Sequence, residues 1–227
     1  MLFNVGVLLG PIHRYLERKV GKNHVRREIQ RFGTDRRTLD IGCGQSPSAE
    51  GFPNRVGIDV VPATGVHVLA DAHTLPFASC SFEQIICSEV LEHLVDPQRA
   101  VQEMARVLVD EGHLVLTVPF VYPVHESPHD YQRLTSYGLS RLFCQFFEID
   151  EIKELFTEEQ TLAILLQRIA FQRRDSPLMH YAYLFLAHIV FRFSPVMKTR
   201  RYQDISGQIE GPFLTAGYLL LARKKKR

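Results

Sequence analysis

The sequence predicts an α/β domain in which a mostly parallel sheet of seven strands carries helices on both faces. The first observation behind this prediction is a series of short, continuous apolar runs, such as those at 37–43 and 82–88. Strands that are buried on both faces of a parallel sheet have this character. The second observation is that helical segments alternate with these runs, as in layered α/β proteins. The third is that a glycine-rich turn, GCGQSP, directly follows the first run.

Each element can be placed along the chain. The predicted strands lie at 37–43, 55–61, 66–71, 82–88, 110–120, 146–155 and 213–226. An amphipathic helix is predicted over 12–33, and a second begins at Asp96-Pro97, because Asp is a favourable N-cap and Pro a favourable first helical residue. Three further helices are predicted over 135–146, 157–174 and 176–195, and Thr157 with Gln160 forms a capping box for the middle one.

Four segments follow from this arrangement. Residues 1–36 form an N-terminal helical segment, 37–156 the sheet-containing core, 157–212 a helical insert, and 213–227 the final strand with a basic tail. Between the first two strands, Pro47, Gly51 and Pro53 predict a short or broken crossover helix, since proline and glycine interrupt helices.

The composition excludes several classes of protein. The 227 residues are 45% hydrophobic and suffice for one domain with a subdomain. A net charge of +2 is too small to indicate a nucleic-acid partner. The four cysteines show no C-x-x-C spacing, so neither a disulfide framework nor a zinc site is indicated, and a cytoplasmic setting fits. No apolar run reaches the ~18–20 residues of a membrane span.

The glycine-rich turn is compatible with several ligands. A phosphate-binding P-loop would end in Gly-Lys-Ser/Thr, which GCGQSP lacks. A dinucleotide fingerprint needs a third glycine at the position of Pro47, so that interpretation is weak. Asp40, just before the turn, would repel a pyrophosphate but suits a cationic ligand.

Acidic residues follow two further strands. Asp59 comes 19 residues after Asp40, at the end of the second strand, where a carboxylate can accept both ribose hydroxyls. Asp71 and Ala72 end the third strand, where a carboxylate and a backbone N–H could meet an adenine edge. Acids at three strand ends suit a nucleoside that carries an amino acid and a sulfonium better than a nucleotide.

At this point the chain resembles the class I S-adenosylmethionine (SAM) methyltransferases, in the branch called type 11. LDIGCG, VGIDVV, ADAHTLPFASCSFEQIICSEVLEHLVDP and RVLVDEGHLVLTVPF match its motifs in order, over about residues 37–145. The resemblance implies a Rossmann-like fold, SAM as the cofactor and methyl transfer as the reaction. It also implies the cofactor-binding residues Asp40, Gly42, Gly44, Asp59, Val60, Asp71, Ala72, Ser88 and Glu89.

The acceptor is expected at the carboxyl ends of the strands, where open α/β sheets bind ligands. The loop 119–139 follows the fifth strand and is rich in polar, aromatic and ionisable residues. Methyl transfer to oxygen needs the acceptor proton removed, and a general base of near-neutral pKa adds to the rate that positioning supplies, so His125 is our first catalytic candidate and His93 the second. The predicted substrate-binding residues are Tyr122, His129, Asp130 and Arg133, and Asp130 is also expected to pair with Arg133. A metal site of His93, His125 and His129 is compatible with the residue types, but no spacing fixes its geometry and no metal is predicted.

The helix predicted over 178–193 is apolar on nearly every face. Three interpretations remain open: a lid over the active site, a dimer contact, or a membrane-surface contact through 178–201. The basic stretches 197–201 and 223–227 would favour anionic lipid in the third case.

The sequence therefore predicts a cytoplasmic SAM-dependent methyltransferase. Its acceptor is expected to be a small or lipid- or glycan-linked molecule, methylated at a hydroxyl. C-methylation of a quinone-type lipid, an RNA or protein acceptor, and a non-catalytic assembly subunit with the same fold remain the alternatives.

Overall fold

The computed structural model describes residues 10–45, 47–195, 202–203, 210–211 and 214–226. The chain forms two compact units. One contains residues 24–155 and 217–227, and we call it the core unit. The other contains 1–23 and 156–216, and we call it the helical unit. Residues 24–36, which the sequence assigns to the N-terminal segment, thus group with the core unit.

Helices separate the strands from residue 82 onward up to residue 158, whereas the first four strands follow one another through turns and loops in the described residues. The strands are Thr38–Ile41 (β1), Arg55–Asp59 (β2), Val68–Leu69 (β3), Phe82–Ser88 (β4), Leu108–Pro119 (β5), Phe147–Glu154 (β6), Tyr202–Gln203 (β7), Glu210–Gly211 (β8) and Gly217–Lys224 (β9). The α-helices are Gly10–Leu16 (α1), Lys22–Gln30 (α2), Pro97–Val107 (α3), Ser136–Phe143 (α4), Glu158–Gln172 (α5) and Pro177–Phe193 (α6). A 3₁₀ turn spans Leu91–His93.

The core unit contains a seven-stranded sheet in the order β3-β2-β1-β4-β5-β9-β6. The pairs from β3 to β5 are parallel, and β9 runs antiparallel to both β5 and β6. This confirms the predicted Rossmann-like, mostly parallel sheet. All four residues of β1 are buried, in agreement with its continuous apolar run.

The strand order reverses between β1 and β4. Both strands are parallel to their other neighbours, so the carboxyl ends of β1, β2, β4 and β5 lie at one edge of the sheet. A reversal of this kind opens a crevice at that edge, which is where open α/β sheets bind ligands. The loops that follow these four strands therefore define the region in which to look for a site.

The predicted helix caps of the core unit are present. The Asp96 side chain accepts a hydrogen bond from the Arg99 amide at 3.0 Å and begins α3, and Thr135 accepts one from the Gly138 amide at 3.1 Å and begins α4. Between β1 and β2, turns replace a crossover helix in the described residues on either side of position 46. The interruption expected from Pro47, Gly51 and Pro53 is thus observed.

The helical unit contains α1, α5, α6 and the short β7–β8 pair. The predicted Thr157–Gln160 capping box begins α5. His180 is buried on α6, with Nδ1 2.7 Å from the Ala170 carbonyl oxygen and Nε2 2.9 Å from Oε1 of Glu17. None of the helices in the described parts of the chain combines the length and apolar character needed to cross a bilayer. The basic stretch 197–201 and the last residue of the tail lie outside the described residues.

Candidate active site

The glycine-rich turn after β1 is joined to the end of β2 by the carboxylate of Asp59. Gly44 has a φ of +51° and donates its amide to Oδ2 of Asp59 at 3.0 Å, while Oδ1 accepts the Val61 amide at 3.0 Å. Gly42 has a φ of +67°, and a Cβ atom there would lie 2.2 Å from Cγ2 of Val90. The turn after β1, the end of β2 and the start of the loop after β4 are thus held close together.

Asp40 lies beneath this turn with 1% of its side chain exposed. Its Oδ2 atom accepts a hydrogen bond from Nε of Arg55 at 2.8 Å, and Nη2 of Arg55 donates to the Gly65 carbonyl at 2.7 Å. Burial raises the pKa of Asp40, and the hydrogen bond and charge of Arg55 oppose that rise. The structure therefore engages one oxygen of Asp40 with Arg55, and a direct cofactor contact by Asp40 stays a prediction.

The residues predicted for adenine recognition differ in exposure. Val60 directly follows β2 and is 68% exposed, whereas Ala72 is buried. Asp71 is exposed, and its Oδ1 atom accepts the His73 amide at 2.8 Å and lies 2.6 Å from Nδ1 of the same ring. Burial acts to raise the pKa of Asp71, but the hydrogen bonds from His73 outweigh it and lower the pKa.

Ser88 is the last residue of β4 and Glu89 directly follows it, beside Thr117 of β5. The Ser88 and Thr117 hydroxyls lie 2.9 Å apart, and the Glu89 amide donates to the Thr117 carbonyl at 3.0 Å. Glu89 has a φ of +56°, a conformation that non-glycine residues adopt rarely and mainly at functional sites. Its side chain is exposed by accessible surface. Desolvation by the surrounding protein raises the pKa of Glu89 against the Thr117 hydrogen bond and the Arg133 charge.

The loop after β5 is organised by the predicted Asp130–Arg133 pair. Arg133 donates to Oδ1 of Asp130 at 2.5 Å and to Oδ2 at 2.7 Å, which is the two-point geometry that guanidinium and carboxylate groups favour. Asp130 also accepts the His125 amide at 2.9 Å. These hydrogen bonds hold the pKa of Asp130 well below its usual range.

Both predicted catalytic histidines lie beside a buried carboxylate, Glu92. Nε2 of His93 is 3.6 Å and Nε2 of His125 is 3.7 Å from Oε1 of Glu92. The two imidazole rings contact each other edge to face with centroids 4.9 Å apart, and the Tyr122 ring lies 5.2 Å from that of His125. Burial lowers the pKa of His125, and the Asp130 carboxylate opposes this effect.

His129 is exposed, and its ring stands outside this cluster. Its Nδ1 atom lies 2.9 Å from the Tyr131 hydroxyl, while its backbone carbonyl oxygen lies 2.6 Å from Nδ1 of His93. The structure therefore brings together Glu92, His93 and His125 rather than the three histidines that the sequence suggested as a combination. We call these three residues the Glu-His-His cluster.

Comparison with protein families shows to which family the chain belongs. A family profile described as "Methyltransferase domain" matches residues 12–167. The chain belongs to the class I SAM-dependent methyltransferases. The resemblance that the sequence motifs indicated is thus confirmed, and the sheet described above is the core of this methyltransferase.

Several known proteins are similar to this methyltransferase. A ubiquinone biosynthesis O-methyltransferase from Alkalilimnicola ehrlichii is 31% identical over 101 residues, which cover 36% of this chain and 41% of that relative. A demethylmenaquinone methyltransferase from Paenarthrobacter aurescens is 32% identical over 103 residues, covering 39% and 40%. The chain thus spans about two fifths of the length of these relatives.

A solved structure is similar over most of the chain. Phosphoethanolamine N-methyltransferase 2 of Haemonchus contortus, in complex with phosphomonomethylethanolamine and S-adenosylhomocysteine, has a TM-score of 0.56. The match covers 91% of this chain and 54% of that one at 17% identity, a level that supports the fold alone.

Sequence reasoning did not single out Glu92 as a candidate site residue. The sequence places Glu92 next to His93, but a glutamate in a helical turn is ordinarily solvated. Here 1% of its side chain is exposed, because the loop after β5 covers it: the Tyr131 amide donates to the Glu92 carbonyl at 2.9 Å. The signal available in the sequence was the spacing of Glu89, Glu92 and His93 after a buried strand.

Proposed function

We propose that this methyltransferase moves a methyl group from SAM to a hydroxyl of a small or a lipid- or glycan-linked acceptor. One observation carries the proposal: the Glu89 amide donates to the Thr117 carbonyl at 3.0 Å, and the Tyr131 amide of the loop after β5 donates to the Glu92 carbonyl at 2.9 Å. The predicted cofactor residues and the histidine-containing loop are therefore neighbours in the core unit. Bound SAM would supply an electrophilic methyl group on a sulfonium.

The cofactor would occupy the edge formed by β1, β2 and β4. Each Asp59 oxygen accepts one backbone N–H and keeps a second lone pair, so the carboxylate can still receive the ribose hydroxyls. The exposed Val60 side chain offers an apolar surface for the adenine ring. The remaining assignments follow the family: Gly42 and Gly44 line the methionine part with Asp40 beneath, Asp71 and Ala72 meet the adenine edge, and Ser88 and Glu89 lie near the methionyl group.

The acceptor would lie against the loop after β5. His125 is our candidate for accepting the hydroxyl proton through Nε2, because Asp130 faces its Nδ1 atom at 3.2 Å and can orient the ring. His93 is the second candidate. Asp130 and Arg133 would position the loop, since 2% and 22% of their side chains are exposed, whereas Tyr122 and the exposed His129 would contact the substrate.

C-methylation of a quinone-type lipid is the second candidate function. It is favoured by the similarity to a protein named demethylmenaquinone methyltransferase, whereas the similarity to a ubiquinone biosynthesis O-methyltransferase agrees with a hydroxyl acceptor. The hydroxyl acceptor remains our first choice because two imidazoles beside a carboxylate suit removal of a hydroxyl proton. A non-catalytic assembly subunit needs no such group of ionisable residues.

We also propose a cytoplasmic location.

The apolar helix α6 leaves three roles open for the helical unit: a lid, a homodimer contact, or a peripheral membrane contact through 178–201. Several of its large apolar side chains are exposed, among them Leu178, Phe185 and Phe193.

Calorimetric titration with SAM and S-adenosylhomocysteine tests the cofactor assignment. Wild type should bind in the micromolar range, and Asp59→Ala should lose binding because both the ribose contact and the Gly44 anchor disappear. Asp175→Ala, an exposed acid between α5 and α6, is the matched control and should bind like wild type. A folded wild type that binds neither compound would refute the proposal and favour the assembly-subunit alternative.

His125→Ala tests the catalytic assignment once an acceptor is found. The variant should reduce turnover and leave SAM affinity unchanged, since His125 lies in the acceptor loop. Loss of SAM binding in this variant would contradict the assignment.

A further inference from the structure

We propose that the Glu-His-His cluster binds one divalent transition-metal ion of the zinc class through an oxygen of Glu92 and Nε2 of His93 and His125. One ligand atom from each of these three residues lies within 4.8 Å of the other two. With metal–ligand bonds of ~2.0–2.2 Å, ligand atoms of a tetrahedral zinc site lie roughly 3.4 Å apart. The observed separations of 3.6 and 3.7 Å from Oε1 to the two Nε2 atoms require a closure of only a few tenths of an ångström.

The groups around both rings leave the Nε2 atoms facing the carboxylate as acceptors. Nδ1 of His93 faces the His129 carbonyl oxygen at 2.6 Å, a contact that only a protonated Nδ1 can make. Nδ1 of His125 makes no hydrogen bond, but it lies 3.2 Å from a carboxylate oxygen of Asp130, whose negative charge favours a proton on that nitrogen. In neutral imidazoles this leaves the Nε2 lone pairs free. Metal-binding histidines are oriented by this arrangement, with the far N–H on a carbonyl or carboxylate.

The second observation is the unsatisfied carboxylate of Glu92. Neither of its side-chain oxygens has a hydrogen-bond partner, although only 1% of the side chain is exposed. Burying a carboxylate without a partner is costly, so native proteins pair such groups or use them as metal ligands. An ionised carboxylate facing two imidazole lone pairs would be repelled by them, and a cation among the three groups would convert that repulsion into attraction.

The wider surroundings also favour a cation. Glu89 acts on Glu92 electrostatically, and Glu126 brings an exposed carboxylate to 3.7 Å from Nε2 of His93. Arg133 is the opposing charge, but its guanidinium is bound to Asp130 at two points. Two nitrogen ligands and one oxygen ligand, with a further position left for water or another group, are typical of catalytic zinc sites.

The metal site itself does not depend on the identity of the acceptor, and only its use in catalysis rests on the proposed function. A metal-bound acceptor hydroxyl would lose its proton to water, and its oxygen would then take the methyl group. The C–S bond of SAM breaks, an O–CH₃ bond forms and S-adenosylhomocysteine leaves. In that case His93 and His125 serve as ligands and the metal takes over activation of the hydroxyl.

Metal titration of the full-length protein tests the inference. After treatment with EDTA and dialysis, the protein is titrated with ZnCl₂ by calorimetry, and Co²⁺ is added separately to record visible absorption. We expect one Zn²⁺ per chain and a Co²⁺ spectrum of low coordination number. Glu92→Gln, which keeps the shape of the side chain, and His125→Ala should each weaken Zn²⁺ binding at least about a hundredfold, since even the loss of outer-shell partners costs 10–100-fold.

Two further variants distinguish the alternatives. His113→Ala removes a partly exposed imidazole from β5 outside the cluster and should bind Zn²⁺ like wild type. His129→Ala removes the ring but keeps the carbonyl that orients His93, so its affinity should change by less than about threefold. A large loss in His129→Ala would overturn Glu92 as the third ligand, and absence of one-to-one binding by wild type would overturn the site.

SAM titration of the same samples separates this inference from the proposed function and reports folding. Zn²⁺ binding lost in Glu92→Gln with SAM affinity intact supports the metal site. SAM binding without any Zn²⁺ binding refutes the metal site and leaves the methyltransferase proposal standing. If His125→Ala does not fold, His93→Gln replaces it, and unaltered Zn²⁺ affinity in that variant contradicts the assignment.

Discussion

Replacing Gly42 by alanine should destabilise the core unit by more than a left-handed backbone alone explains. The residue has a φ of +67°, and an added Cβ would lie 2.2 Å from Cγ2 and 3.4 Å from Cβ of Val90. Holding a non-glycine residue in this conformation costs roughly 1–2 kcal/mol. Forcing an extra carbon into a packed contact adds roughly 1–3 kcal/mol. The sum predicts a decrease of about 2–5 kcal/mol in the free energy of unfolding.

Gly51→Ala is the matched control for this prediction. Gly51 has a φ of +90° and no atom within 4 Å of its hypothetical Cβ, so only the backbone cost of roughly 1–2 kcal/mol applies. The steric part is isolated by introducing Gly42→Ala into a Val90→Ala background, where the cost should fall to that of the backbone alone. Urea unfolding followed by circular dichroism gives the change in the free energy of unfolding for Gly42→Ala, Gly51→Ala, Val90→Ala and the Gly42→Ala/Val90→Ala double variant. Equal costs of Gly42→Ala in the two backgrounds would refute the steric argument.

Four further predictions concern other parts of the molecule. Arg55→Met should cost about 3–5 kcal/mol in the free energy of unfolding, because it leaves the Asp40 carboxylate buried without its partner; Arg55→Met with Asp40→Asn should recover part of the loss, and no recovery would contradict the pairing. The Arg106 hydrogen bond lowers the pKa of Glu103 from its usual 4.5, so the stability difference between wild type and Glu103→Gln should be fully present at pH 7 and disappear as the pH falls below 4.5 through the lowered value; a difference that persists at pH 2 would oppose this. His180→Ala should lower the thermal midpoint because it removes a buried ring together with its hydrogen bonds to the Ala170 carbonyl and to Glu17, whereas the exposed His13→Ala should change it little. Phe185→Ser should reduce flotation with anionic vesicles if α6 contacts membranes, and should shift the sedimentation coefficient toward that of the monomer if α6 forms a dimer; no change in either would leave the lid as the favoured role.

Much of the sheet follows from the sequence because local patterns determine it. The apolar run 82–88 coincides with β4, and the caps at Asp96, Thr135 and Thr157 begin helices as predicted. The run 66–71 forms only the two-residue strand β3, because its pairing with β2 is limited to Val68 and Leu69 at the sheet edge. Edge pairing depends on the neighbouring strand, and a run of apolar residues cannot encode its extent.

The site was predictable where one segment contains both partners and unpredictable where distant segments meet. Asp130 and Arg133 lie only three positions apart in sequence, so their pairing could be expected. The Arg55–Asp40 contact depends on the register of β1 against β2, and the burial of Glu92 depends on a loop nearly 40 residues away. A single sequence holds no local signal for such contacts.

Strand β9 imposes an order of events on synthesis. In chain order it follows every other strand of the large sheet, yet it lies between β5 and β6 and pairs His113 with Arg223. While the ribosome is producing residues 156–216, β5 has one unpaired edge and β6 has no partner strand in the sheet. Contacts over such sequence separations form slowly and leave β-edges open to association. The edges of β5 and β6 are therefore open to association with other chains until β9 leaves the ribosome.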